Sequence, residues 1–501
     1  MTRTGTRPAT ARQWAGLALL ALPTVLLGLD LTVLYLALPA LSADLDPTAT
    51  QTLWIMDSYG FFIAGFLLTM GTLGDRIGRR RLLVLGMAAF AAASVLAAFA
   101  PTAEALIAAR ALLGIAGATL MPSTLSLIAT LFPEPRQRAV AIGVWATMFA
   151  LGMAAGPVVG GLLVERFWWG AAFLPALPIA VIVLAGAPRL LPEYTSPGRG
   201  RLDPVSVALS LAMLLPVVYA VKHLAAHGPD VTVVLTGGVG IAAGIAFVRR
   251  QIRLDDPLLD VTLFTDRVFA SASAVLLAGL VGVGGAMYLV TLYLQMIAGL
   301  SPAAAGWWMG PPALAMFAAA IGAPLLARRV RPGWVMAGTL GGSVIGYALL
   351  ATAGTDSRHA VVLGFAFIYA GLGAIAALGT DMVVGAAPPA KSGSAAAVSE
   401  TVQELGLAVG VAVLGSLTTA LYRARVRIPE GTPPEVADRI GESIDAAVAA
   451  ADRAPAAAMD SAAAAFTTGL NVSAAVAGVA IAVVAALCAV ALRGIRPLGG
   501  G

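Results

Sequence analysis

The chain has 501 residues, of which 59% are hydrophobic and 11% charged, with a net charge of +5. A soluble domain carries about 25% charged residues, so this composition excludes a soluble core and reads as an all-α polytopic membrane protein. The apolar runs are continuous, which excludes the short alternating strands of a β-barrel. The small positive charge lies in loops and speaks for membrane topology, against nucleic-acid binding.

Fourteen apolar spans are expected, near 14–40, 51–71, 82–100, 105–129, 139–163, 169–191, 204–223, 231–249, 269–298, 303–326, 333–353, 360–387, 394–421 and 468–492. The seventh is the weakest, because it contains Pro216 and ends at Lys222. Arg3, Arg7 and Arg12 precede the first span as in a signal peptide, but that span is too long and carries Asp30, so an uncleaved signal anchor is expected. Most of the 31 Lys and Arg fall on the side of the N-terminus, which places both termini in the cytoplasm. Arg423, Arg425 and Arg427 run against that rule.

The layout reads as two six-helix bundles joined through an extra pair of spans. The expected units are 1–191, a linker unit at 192–267 and 268–501. Two charged linkers, at 192–204 and 249–267, flank the extra pair. An outer loop at 422–466 carries many acids, with Val436, Ile440, Ile444 and Val448 recurring every four residues. It is either an alanine-rich, partly disordered loop or a helical hairpin over the outer mouth.

Asp30 is the one charge in the first span. A carboxylate in hydrocarbon is costly, so it faces a partner, a cavity or a pathway. Arg110, in the fourth span, needs a partner for the same reason. Asp57, in WIMDSYG of the second span, lies at its depth, roughly 9 Å from the outer face at about 1.5 Å per residue. Asp57 is therefore a candidate partner, and Asp30 is only slightly deeper. Glu400 and Glu404, four apart, share one face of the thirteenth span. They sit roughly 12 and 18 Å from its cytoplasmic end at about 1.5 Å per residue. Like charges in a low dielectric repel, so one is expected to hold a proton at rest. The competing reading places Glu400 in the headgroup region. Asp381 reads as a charge near a loop, and His223, His227 and His359 as surface residues.

Between spans two and three stands GTLGDRIGRRR at 71–81. Gly74 and Gly78 permit a tight turn, and Asp75 is placed to cap a helix or pair with arginine. The spacing of Gly71, Asp75, Arg76, Gly78, Arg79 and Arg80 resembles the cytoplasmic signature loop of the major facilitator superfamily. GMAAGPVVGG at 152–161 allows close helix approach and a proline bend. Its Gly152, Gly156, Pro157, Gly160 and Gly161 resemble the superfamily's antiporter motif, which implies export. Arg110, with Gly114 and Gly117, resembles the fourth-span arginine linked to proton transfer. LDLTVLYLALP at 29–39 resembles the first-span motif of the fourteen-span drug:proton antiporters, matching at Asp30 and Thr32, with Tyr35 where the family usually has Asn. SETVQELG at 399–406 and the run after it resemble the quaternary-ammonium efflux pumps.

The resemblance implies a proton-coupled exporter of lipophilic cations in the inner membrane, probing no nucleic acid and working as a monomer. Two bundles would rock around a central cavity, with cations and protons competing for Asp30, Glu400 and Glu404. Tyr35, Trp54, Tyr59, Tyr288 and Tyr293 are candidates to line it with cation–π contacts, although packing explains most of them as well. With no Walker loop, metal-ligand cluster or nucleophile triad in the sequence, neither an enzyme nor a cofactor is expected, and protons are the driving force. The alternatives are a dedicated exporter of one metabolite or antibiotic, a nutrient symporter, which the fifth-span motif opposes, and a lipid-handling or sensor protein that does not pump.

Overall fold

The structure, a computed structural model, describes residues 9–193 except 48, 203–254 except 229, 257–388 and 391–495. Each of the fourteen expected spans falls on helix. The first half holds α1 (Ala11–Leu45), α2 (Ala49–Ile77), α3 (Arg79–Ala98), α4 (Ala103–Leu131), α5 (Pro135–Arg166) and α6 (Ala176–Leu190). The extra pair is α7 (Pro204–His227) and α8 (Val231–Gln251). The second half holds α9 (Arg267–Leu292), α10 (Pro302–Trp308), α11 (Gly310–Leu326), α12 (Pro332–Ala351), α13 (Arg358–Ala386), α14 (Ser392–Arg425), the short α15 (Pro434–Glu442) and α16 (Ile444–Ala449), and α17 (Ala456–Ala491). Among the described residues, eleven membrane-length apolar stretches are present. The seventh span is helical despite Pro216, with a shorter apolar run at Pro204–Val217.

Two expected spans are interrupted, both at proline, which lacks the N–H that continues a helix. The sixth opens as a 3-10 turn, Trp169–Phe173, before Pro175 starts α6. The tenth breaks at Met309, just before Pro311 and Pro312. The ninth ends in a π-helical turn, Tyr293–Ile297.

The apolar core forms two clusters. One runs from Leu17 to Leu191 and takes in Ala376, Val384 and Ala396 from the second half. The other runs from Phe247 to Leu492 and takes in Leu68 from α2. The halves meet where α5 packs on α11 and α13, and where α2 and α4 pack on α14. The extra helix α7 lies against α2 and α14, and α8 packs chiefly on α7.

The outer loop is ordered. Val436, Ile440 and Ile444 are buried, on two short helices divided at Ser443, whose hydroxyl caps α16. The pair rests on the second half, packed on α17 and hydrogen-bonded to the end of α14. The Tyr422 hydroxyl donates to the Ile440 carbonyl at 2.7 Å, and Arg423 donates to the Glu442 carbonyl at 3.0 Å. That contact gives Arg423 a use on a side where the charge rule does not expect it.

The closest helix approach that shapes the site is between α1 and α5. A side-chain carbon at Gly152 would strike the Val25 carbonyl, and one at Gly156 would strike Thr32. Thr32 uses this proximity, donating to the Met153 carbonyl at 2.9 Å. Gly152→Leu is therefore expected to force the two helices apart at about 1–3 kcal/mol. Thermal melting of detergent-purified protein checks this, with Gly338→Leu as the silent control because nothing lies near that glycine.

Candidate functional site

Arg110 is the residue around which the first half closes. It is 2% exposed, and Asp30 is 4% exposed. The guanidinium donates to the Asp30 carboxylate at 2.6 Å and to the Ile55 carbonyl at 3.1 Å, and a long contact at 3.5 Å reaches the Met56 carbonyl. Its carbon lies 4.7 Å from the Tyr59 ring centre and 6.0 Å from that of Phe173. A buried ion pair is held only when the remaining donors are also satisfied. Here two α2 carbonyls supply the extra acceptors.

Arg110 is thus paired with Asp30; the side chain of Asp57, the other candidate partner, lies outside the described residues. Depth alone did not separate the two acids. Packing does: Gly117 of α4 brings that helix against Leu27 of α1 as well as Ile63 of α2.

Glu400 and Glu404 come from the other half, on α14. Glu400 is 3% exposed, so it is not a headgroup anchor. Gln403 donates to it at 3.2 Å and to the Ser399 carbonyl at 3.1 Å, and the Ser399 hydroxyl donates to Thr380 of α13 at 3.2 Å. Glu404 is half-buried. Both glutamates lie on α14, the helix of the second half that packs against α2 and α4. Gln403 and Ser399 were not singled out from sequence, although their place between the two glutamates was visible there.

The four aromatic candidates among the described side chains do not converge. Tyr59 is fully buried beneath Arg110, and its hydroxyl has no hydrogen-bond partner among the described residues. Trp54 stacks on Tyr219 of α7 at 6.5 Å and meets Phe61 edge-on. Tyr293 is buried, and its hydroxyl ties down the α12–α13 loop through the carbonyls of Gly354 and Thr355. Tyr288 borders a small cavity within the second half, beside Gly415, Thr418 and Phe466. The side chain of Tyr35 lies outside the described residues.

The end that carries Arg79, Arg80 and Arg81 is called the basic end below. Asp75 pairs with Arg79 four residues on, both fully within the protein. Gly78 sits at φ 109°, the left-handed region that favours glycine, and separates α2 from α3. Gly71 is buried and Arg76 half-buried. Arg80 reaches the end of α6, donating to the Leu191 carbonyl at 3.2 Å and pairing with Glu193 at 3.3 Å. Thr72 donates to the Leu258 carbonyl of the second linker at 2.7 Å, and Asp260 of that linker pairs with Lys391 at the foot of α14. Gly152, Gly156 and Gly160 line the α1 contact; the side chain of Pro157 and the surroundings of Gly161 lie outside the described residues.

Asp381 was misjudged as a charge near a loop. It is 3% exposed and receives a hydrogen bond from Arg138 of α5 at 2.5 Å. Glycine at position 385 leaves room for that guanidinium. The pair joins the two halves near the basic end. Its signal was the place of Asp381, more than a turn from the end of α13.

With this geometry in view, the chain was compared with known proteins. The Major Facilitator Superfamily model matches residues 20–411. The chain belongs to that superfamily. It is 43% identical over 491 residues to the multidrug efflux pump LfrA of Mycolicibacterium smegmatis, covering 96% of this chain and 97% of that protein. It is 35% identical to the methyl viologen resistance protein SmvA of Salmonella typhimurium, covering 89% and 90%. It is 33% identical to the puromycin resistance protein pur8 of Streptomyces alboniger, covering 84% and 85%. Among solved structures, the human organic anion transporter MFSD10 (TETRAN) superposes with a TM-score of 0.61 at 16% identity, covering 95% of this chain and all of that one. That likeness bears on the fold alone. This major facilitator protein is a multi-pass membrane protein whose relatives are pumps and resistance proteins, not enzymes.

Three expectations follow from these contacts. Arg110→Met strands a buried carboxylate and is expected to cost about 3–5 kcal/mol, read as a lower melting temperature. Asp30→Asn keeps an oxygen for Arg110, so it is expected to fold while losing transport; normal transport by a well-expressed Asn variant removes Asp30 from the mechanism. In Asp75→Asn the Arg79 contact weakens away from the central acids. Slower transport with near-normal equilibrium ligand affinity is expected, and a large loss of affinity counts against a purely conformational role.

Proposed function

We propose that the protein is a proton-coupled antiporter that exports lipophilic cations across the plasma membrane, working as a monomer with its basic end and both termini in the cytoplasm. The observation that supports this reading is the buried Asp30–Arg110 pair of one half, with Glu400 and Glu404 of the other half on α14, the helix that packs against α2 and α4. Acids on both sides of a rocking interface suit a ligand that is held in one conformation and released in another. A cation entering between the halves competes with Arg110 for Asp30 and pairs with Glu404. Protons from the outer side then neutralise the acids and expel it. Cation and proton use the same carboxylates in turn, which is antiport by competition, and protons are the driving force.

The relatives support this reading. LfrA is named as a multidrug efflux pump, and methyl viologen, against which SmvA gives resistance, is an organic dication. The Arg138–Asp381 and Lys391–Asp260 pairs supply a closure at the basic end, and the pair contacts must open for the cavity to face the cytoplasm. A dedicated antibiotic exporter is the second reading, favoured by pur8 and by a probable actinorhodin transporter of Streptomyces coelicolor at 34% identity. A panel of cations separates the two by breadth of substrate.

The test uses everted vesicles loaded with a pH dye. Adding methyl viologen or ethidium to energised vesicles should discharge the proton gradient, and an uncoupler should stop uptake of either cation. Transport that ignores the uncoupler sinks proton coupling. A dication can use one acid from each half, so Glu404→Gln is expected to lower methyl viologen transport about tenfold, the effect of roughly 1.4 kcal/mol, and ethidium transport less. Glu400→Gln is expected to be milder. Equal loss for both cations would instead assign Glu404 to coupling.

A further inference from the structure

The α7–α8 hairpin stands outside the central site. Its second helix presents Val234, Leu235, Ile241 and Ile245 outward, all more than half exposed. That surface faces lipid. At the basic end the two helices part to leave a groove with about 250 Å³ of free volume. Val205, Leu209 and Ala246 form its apolar side, and Arg249, Arg250 and Arg253 its polar side.

The three arginines are not equivalent. Arg250 is spent on Asp203, with contacts of 2.6 and 3.1 Å. That guanidinium, and then the Ser206 hydroxyl, hold the Asp203 carboxyl well below the usual carboxylate range. Arg249 and Arg253 are exposed, and no carboxylate among the described residues pairs with either. The groove is also braced. Gln251 is buried, donates to the Ser206 hydroxyl at 2.8 Å and accepts from the Leu258 N–H at 2.7 Å. This network keeps the helix ends at a set spacing, so the recess does not close on itself.

Arginines that merely set topology need only lie at a helix end. These two border a recess whose other side is apolar and runs into the lipid-facing surface. A guanidinium fork matches phosphate oxygens, and basic recesses at this depth attract anionic head groups. We propose that the groove binds one anionic phospholipid of the leaflet at the basic end, with its phosphate on Arg249 and Arg253 and an acyl chain along Val205, Leu209 and Ala246. The site does not depend on the transport reaction proposed above.

The experiment is native mass spectrometry of the full-length protein in detergent, titrated with phosphatidylglycerol or phosphatidylcholine. The wild type is expected to keep one phosphatidylglycerol with about tenfold preference over phosphatidylcholine. Arg249→Gln/Arg253→Gln should lose that preference while melting as the wild type does without lipid. Arg328→Gln/Arg329→Gln, which removes two exposed arginines from the same end, should keep it. Equal retention of the two lipids by the wild type overturns the proposal, whatever the variants do. So does a preference that survives in the first variant, or that falls equally in the second, which would mean diffuse attraction to the basic end. Soluble glycerol phosphate displacing the lipid at equal concentration would also overturn it, because the acyl contact would then add nothing.

Discussion

A guanidinium inside a low-dielectric bundle cannot stand without an anion, and that constraint arranges the first half of this protein. Arg110 needs Asp30 at 2.6 Å, which requires α1, α2 and α4 to converge to within side-chain reach. The small residues of α1 and α5 let those two backbones approach, and Thr32 bonds across the contact. Carbonyls of α2 take the remaining donors, and the Tyr59 ring lies under the charge. Removing either charge leaves the other buried without its counter-ion, which is costly.

The interface between the halves repeats that logic at two depths. Toward the centre, α14, which bears Glu400 and Glu404, packs against α2 and α4. Near the basic end, Arg138 and Asp381 form a pair that spans the halves. The second linker ties Thr72, beside the signature loop, and Lys391, at the foot of the glutamate-bearing helix, to adjoining residues. Packed helices and three short polar contacts therefore run between the basic end and the helices that bear the central acids. The signature loop contributes rigidity, since Asp75 and Arg79 satisfy one another within one helical turn and Arg80 is held by the end of α6.

Elements outside the two bundles have their own physical reasons. The apolar stripe of α15 and α16 is too short to be stable alone, and it is buried against α17 instead. The α7–α8 hairpin keeps an apolar outer surface that only lipid can cover, and its Asp203–Arg250 clamp fixes the helix ends at the membrane boundary.

The sequence alone determined where the long apolar helices lie and their order, because hydrocarbon demands long apolar runs whose backbone bonds are local. It also singled out Asp30, Arg110, Glu400 and Glu404, since charges in such runs are few and costly. Proline interruptions at 175 and 311–312 are local too, although their effect on continuity was not drawn from the pattern. What only the tertiary structure decided is which charge meets which. Asp30 and Asp57 lie at similar depths in the sequence, and it is the packing of α4 against α1 that brings Asp30 to Arg110. Asp381 and Arg138 are 243 residues apart in the chain, and nothing local to either announces the other. Tyr59 and Tyr293 carry the same side chain, yet one supports a buried arginine and the other fastens a loop. Helix formation is governed by neighbours in sequence, whereas pairing is governed by which faces pack together, and that information exists only when all the helices are in place.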